Sequence, residues 1–146
     1  MIYQIYAGHD VKDILEQYED RHYNDIKDKS LYPSKSVNWE VYEELSKLGL
    51  CFVVLVKDNE SLVGYMVYTL TADLNNNNKI LAIGVAMYIE KRYRGKMVVE
   101  FIRNCDNMLK DKEVKQVLHT HSDVRIGKLL EKAGYTTRSI TWCKSL

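Results

Sequence analysis

Proline occurs once, at Pro33, in a chain of 146 residues, and glycine only seven times. So small a supply of turn-setting residues excludes collagen-like, Pro-rich and Gly-rich low-complexity architectures. The three cysteines, Cys51, Cys105 and Cys143, are odd in number and show no CxxC spacing. They therefore build neither a disulfide scaffold nor a thiolate zinc module, and the expectation is reduced thiols in a cytoplasmic protein. Cys143 also lacks a sequence neighbour that would activate it as a nucleophile. No sign of charge dominates: 21 Lys and Arg stand against 20 Asp and Glu, a formal net of +1. A generally basic nucleic-acid binder lies further from neutrality, so any anion recognition has to be local. No apolar run reaches the length of about 20 residues needed to cross a bilayer, and MIYQIYAGHD lacks the signal-peptide pattern. The phosphate motifs GxxxxGK[ST] and GxGxxG are absent too, which excludes a P-loop and a dinucleotide fingerprint.

What is present is ordinary for a globular chain: 46% hydrophobic and 28% charged residues, in a length that fits one domain spanning 1–146. Tyrosine, with 11 copies, is the enriched residue, suited equally to semi-buried packing and to a pocket wall. The segment IYQIYA (2–7) predicts a short strand. Asp10 is placed to cap a helix starting near Val11 with Ile14, Leu15 and Tyr18 on one stripe, and helix continues through EDRHYNDIKDK. Asn38 reads as the cap of a helix WEVYEELSKL, with Trp39, Tyr42 and Leu45 on one side and Gly49 as its stop. CFVVLV and LVGYMVYTL, joined by KDNES, predict a hairpin, and TADLNNNNK a surface loop. A central strand runs from about Lys79 to Ile89, with Gly84 marking either a bulge or a close approach to the backbone. After it come a helix, a strand in EVKQVLHTH, a short helix in SDVRIGKLLEKAGY ending at Gly134, and one or two closing strands in YTTRSITWCKSL. Strands joined both by hairpins and through helices predict an α/β (α+β) fold, a mixed sheet flanked by helices.

The stretch ILAIGVAMYIEKRYRGKMVVEFIRNCDNML (80–109) organises the rest. An apolar strand leads into a basic turn holding Lys91, Arg92, Arg94, Gly95 and Lys96. A helix follows, with Val98, Phe101 or Ile102, Cys105 and Met108 or Leu109 at spacings of three and four. The first amides of a helix lack intrahelical partners, and the helix dipole is positive there, so this arrangement suits an anion. The same basic run also reads as a solvated surface turn.

IEKRYRGKMVVEFI resembles the cofactor turn of the GCN5-related N-acetyltransferases, and LLEKAGY resembles the ending of their later helix. The resemblance extends over nearly the whole element order. It implies an acyl-CoA N-acyltransferase-like fold with a mostly antiparallel sheet, and transfer of an acetyl group from acetyl-CoA, as cosubstrate, to a primary amine of a small molecule or protein. On this reading Met87 and Ile89 present backbone groups to the pantetheine arm. Arg94, Gly95, Lys96, Met97, Val98 and Val99 form the pyrophosphate turn, with Met97 and Val99 standing where the family pattern has small residues. The family's helix asparagine and tyrosine acid are replaced by Asp123 and Leu130, while Tyr135 falls at a core aromatic position. Tyr18, Tyr23, Tyr32 and Trp39 fall on the acceptor side.

Candidate bases are Glu90, just past the central strand, and His119 and His121, expected to alternate on one face at the end of the next strand. Each also reads as structural or solvated. HTHSD is too sparse for a zinc site, and no metal is expected. The alternative reading is an acetyltransferase fold with weak or no catalysis and a binding or structural role. The compact form, the asparagine run and the divergent turn resemble acetyltransferase-like proteins of tailed phages, which would add host cytoplasm or the virion as locations. A homodimer fits either reading. A membrane does not, and nucleic acid is disfavoured by neutral charge and the lack of a stacking motif.

Overall fold

The computed structural model describes residues 1–25, 37–73, 79–121 and 124–138. Among these residues five strands, β1 (Ile2–Ala7), β2 (Cys51–Asp58), β3 (Ser61–Ala72), β4 (Ile80–Ile89) and β5 (Val114–His119), form one sheet in sequence order. Neighbours are antiparallel except β4 and β5, which run parallel. A parallel pair needs a crossover, and the basic turn with α3 (Lys96–Lys110) supplies it. The other helices are α1 (Lys12–Asp25), α2 (Trp39–Lys47) and α4 (Val124–Ala133). None of the described helices is long and apolar enough to cross a membrane.

The β-branched run of β2 is buried on both faces, because helices cover both sides of the sheet. On one face Val54, Val56, Met66, Tyr68, Ala82 and Ile89 pack against Val98, Phe101, Ile102, Cys105 and Leu109 of α3 and Leu130 of α4. On the other, Val53, Leu55, Leu62, Tyr65, Val67 and Tyr88 pack against Leu15 of α1, with Trp39, Tyr42 and Leu45 of α2 beside them. The α3 stripe is therefore core, and fully burying Phe101 stabilises the fold by about 2–3 kcal/mol.

Asn38 caps α2 as expected, its side chain accepting from the Val41 amide at 3.3 Å. Gly49 and Gly134, both at positive φ, follow α2 and α4. Asp10 does not cap α1: it lies inside a 3-10 turn, Gly8–Val11, and its carboxylate meets His9 at 3.1 Å. Residues 135–138 carry no strand. The rest of the expected closing strands, the asparagine run, the end of EDRHYNDIKDK, Tyr32, Pro33, Asp123 and Cys143 lie outside the described residues.

Two irregularities in β4 position the site. Val67 pairs with Ala86 and Tyr68 with Gly84, so Val85 is an extra residue without a partner. The bulge expected near Gly84 thus falls one residue later. At the same level, pairing of β4 with β5 stops at Gly84 and His119. Beyond it, among the described residues, β4 from Val85 to Ile89 has a strand neighbour only on its β3 side. The sheet opens where the bulge lies.

Candidate functional site

At the open end of β4 the Glu90 amide donates to the Val63 carbonyl, which closes the β3 side. Lys91–Tyr93 then form a single 3-10 turn, pinned to the β2–β3 hairpin by the Tyr93 hydroxyl donating to Asp58 at 2.7 Å. Gly95 follows with φ 108° and ψ −126°, a conformation in which a Cβ is strained, and α3 begins at Lys96. The Val98 amide turns back to the Gly95 carbonyl at 3.1 Å. No protein acceptor among the described residues meets the amides of Gly95, Lys96 and Met97. They are the open amides of a helix start, the ordinary material of an anion site. Met97 packs against the core shared by the sheet and α3, so its side chain leads inward. Val99 is half-buried.

The cations of the turn are held from α1. The Arg94 guanidinium donates through Nε to the Ile89 carbonyl at 2.8 Å and through a terminal nitrogen to the Asp25 carboxylate. Lys91 meets the same carboxylate at 3.3 Å, and Arg21 pairs with Glu90 at 2.6 Å. Arg92 lies over the Tyr93 ring, and Lys96 is exposed. Burial acts to raise the Asp25 pKa, but the hydrogen bond and charge of Arg94, with Lys91 beside it, outweigh burial and hold it below the usual carboxylate range.

The α1 face of β4 carries an aromatic floor in which Tyr18, expected on the acceptor side, is joined by His22, Tyr65 and Tyr88, which the sequence did not single out. His22 Nδ1 lies 2.5 Å from the Tyr65 hydroxyl, and its ring contacts Tyr88, which also meets Tyr18 and Tyr65. Burial lowers the His22 pKa, so the ring is neutral near pH 7 and can share a proton with Tyr65. The available signal was the spacing Tyr18–His22–Asp25, four and three residues apart on one helical stripe.

The three candidate bases do not converge. Glu90 projects to the α1 face, where Arg21 holds it. His119 lies on the opposite face against Gly84, with edge contacts to Tyr68 and to Tyr135 at 5.9 and 5.2 Å. Burial first, with a smaller effect of His121, lowers the His119 pKa to about 4, and its Nε2 is buried without a partner. His121 falls past the end of β5, so the expected alternation along the strand is not formed. It is exposed and lies against Gly127 of α4. Tyr135 is a packing residue whose hydroxyl donates to Asp106 at 2.5 Å.

No protein-family model matches the sequence, and no curated protein matches it. Solved structures do. An aminoglycoside acetyltransferase from an uncultured soil metagenomic sample, in complex with trehalose, superposes with a TM-score of 0.73 at 12% identity, covering 99% of this chain and 95% of that one. Glucosamine-6-phosphate N-acetyltransferase from Arabidopsis thaliana gives 0.71 at 13% identity over 99% of both chains. AAC(6')-Iy in complex with a CoA-S-monomethyl-acetylneamine bisubstrate analog gives 0.67 at 13% identity over 100% of both. This chain has the GCN5-related N-acetyltransferase fold. At such identity the likeness establishes the fold; activity has to be argued from the site. Leu130, which the sequence resemblance sets in the place of the family's tyrosine acid, is buried in the core and brings no hydroxyl.

Proposed function

We propose that this protein is an N-acyltransferase that moves an acetyl group from acetyl-CoA to a primary amine of a small molecule or protein. The observation that carries the reading is the coincidence of the β4–β5 opening with the unpaired amides at Gly95–Met97. One offers a free strand edge and the other an anion site at the end of the same strand. The fit is chemical as well as spatial. The backbone of Met87 and Ile89 would take an amide-bearing arm, and the amides of Gly95, Lys96 and Met97, with the Arg94 and Lys96 side chains, would take a diphosphate.

Acetyl-CoA supplies a thioester, at which a C–N bond forms as the C–S bond breaks, the amine giving up a proton and the thiolate taking one. The chain's task is to orient the amine and receive that proton. Glu90 is the base best placed on the α1 face, with Arg21 fixing its carboxylate and the Tyr18–Tyr65–Tyr88 floor beside it. His121 is the second candidate, at the exposed rim of the opening. His119, half-buried and neutral, serves to hold the strand ends together at Gly84.

Calorimetric titration with acetyl-CoA tests the reading. Micromolar binding that is lost on reversing the charges of Arg94 and Lys96 supports it, and absence of binding at millimolar cofactor rejects it. Released thiol in a screen of amine acceptors then scores turnover. One observation favours a second reading, a protein that binds without turnover, as a structural component of an assembly would. The tyrosine acid is replaced by buried Leu130, so binding with no thiol release for any acceptor would select that reading.

A further inference from the structure

Three ion pairs join residues 21–25 of α1 to the turn before α3: Arg21 with Glu90, Lys91 with Asp25, and Arg94 with Asp25. The Asp25 carboxylate is thus shared by two cations, one of them, Arg94, 69 residues away. Those cations flank the unpaired amides of Gly95–Met97, so the anion-binding turn already has a carboxylate at its rim.

We propose that Asp25 is a built-in competitor for the acyl-CoA diphosphate: it engages Arg94 and Lys91 in the unliganded protein, and cofactor binding releases residues 21–25 of α1. The inference rests on the acyl-CoA reading above. Arg94 can exchange partners without leaving its place, because its Nε stays bonded to the Ile89 carbonyl. By linkage, docking of α1 on the turn and binding of the diphosphate oppose each other by the same factor. Release occurs on the face that carries Glu90 and the tyrosine floor, so it opens the acceptor side after the cofactor is in place.

The test titrates CoA and, separately, inorganic pyrophosphate into the wild type, Asp25→Asn and Asp25→Glu, with hydrogen exchange followed across residues 12–25. Removing a partly exposed competing charge should tighten both ligands about threefold to fivefold in Asp25→Asn. Asp25→Glu, which keeps the charge, should bind like the wild type, and CoA should speed exchange at residues 21–25 of the wild type. Binding by Asp25→Asn alone would support the proposal most strongly. Unchanged or weaker binding in Asp25→Asn, with α1 no less protected when CoA is bound, overturns the competitor and leaves the acyl-CoA reading standing. A gain in both variants traces the effect to a loosened α1 and also overturns it. If neither ligand binds any of the three proteins, the competitor and the acyl-CoA reading fall together.

Discussion

The imidazole of His119 occupies the volume that a side chain at position 84 would need: a Cβ built on Gly84 would lie 2.3 Å from Nδ1 and 2.4 Å from Cε1. Gly84→Ala should therefore displace the ring at the point where the two parallel strands part. The expected loss is on the order of 1–3 kcal/mol, read from denaturant unfolding. Combining it with His119→Ala should recover part of that loss, since the two residues share one space. Strict additivity would show that the glycine is there for another reason.

The same ring sets a pH dependence. Its folded pKa, about 4, is below the unfolded value of 6.5, so the unfolded chain binds the proton more tightly. The stability it contributes is fully present above pH 6.5 and is lost as pH falls from there through 4. The total is about 3 kcal/mol, from 1.36 kcal/mol per pKa unit. His22, also lowered by burial, acts with the same sign. Unfolding free energies measured between pH 7.5 and 4 should fall with pH, and less steeply in His119→Gln. A flat wild-type profile would mean that the folded ring accepts the proton as readily as the unfolded one.

Gly95 gives a separate test of the turn. Its φ of 108° strains any other residue, yet nothing lies within 4 Å of an added Cβ. Gly95→Ala should thus lower stability by about 1–3 kcal/mol through backbone strain, with no steric clash. It should also weaken acetyl-CoA binding, because the amides at the start of α3 would re-aim. Unchanged calorimetric affinity would remove those amides from the cofactor site.

What was legible from the sequence was mostly local. The stripe from Val98 to Leu109, the Asn38 cap and the stops at Gly49 and Gly134 each depend on neighbours within one or two helical turns, and each is found. The basic turn was legible for the same reason. Its partners were not, since Asp25 and Arg21 reach it from 69 residues away and charge patterning does not report such distances.

Kinetics separate the candidate bases. Glu90→Gln should lower kcat by roughly a hundredfold, the lower range for a lost general base, while CoA affinity stays near wild type. His121→Ala should cause a smaller drop, again without loss of binding. Normal turnover in both variants would reject them as proton acceptors.

Val85 has one more consequence. Side chains alternate along a strand, so one surplus residue exchanges the faces of everything after it. In β4 that places Met87 and Ile89 with α3 and sends Tyr88 and Glu90 toward α1. Deleting Val85 would invert the assignment, turning the carboxylate toward the apolar core and the two apolar side chains toward α1. Sequence changes that substitute residues here tune the site; a change in strand length by one residue would turn it inside out.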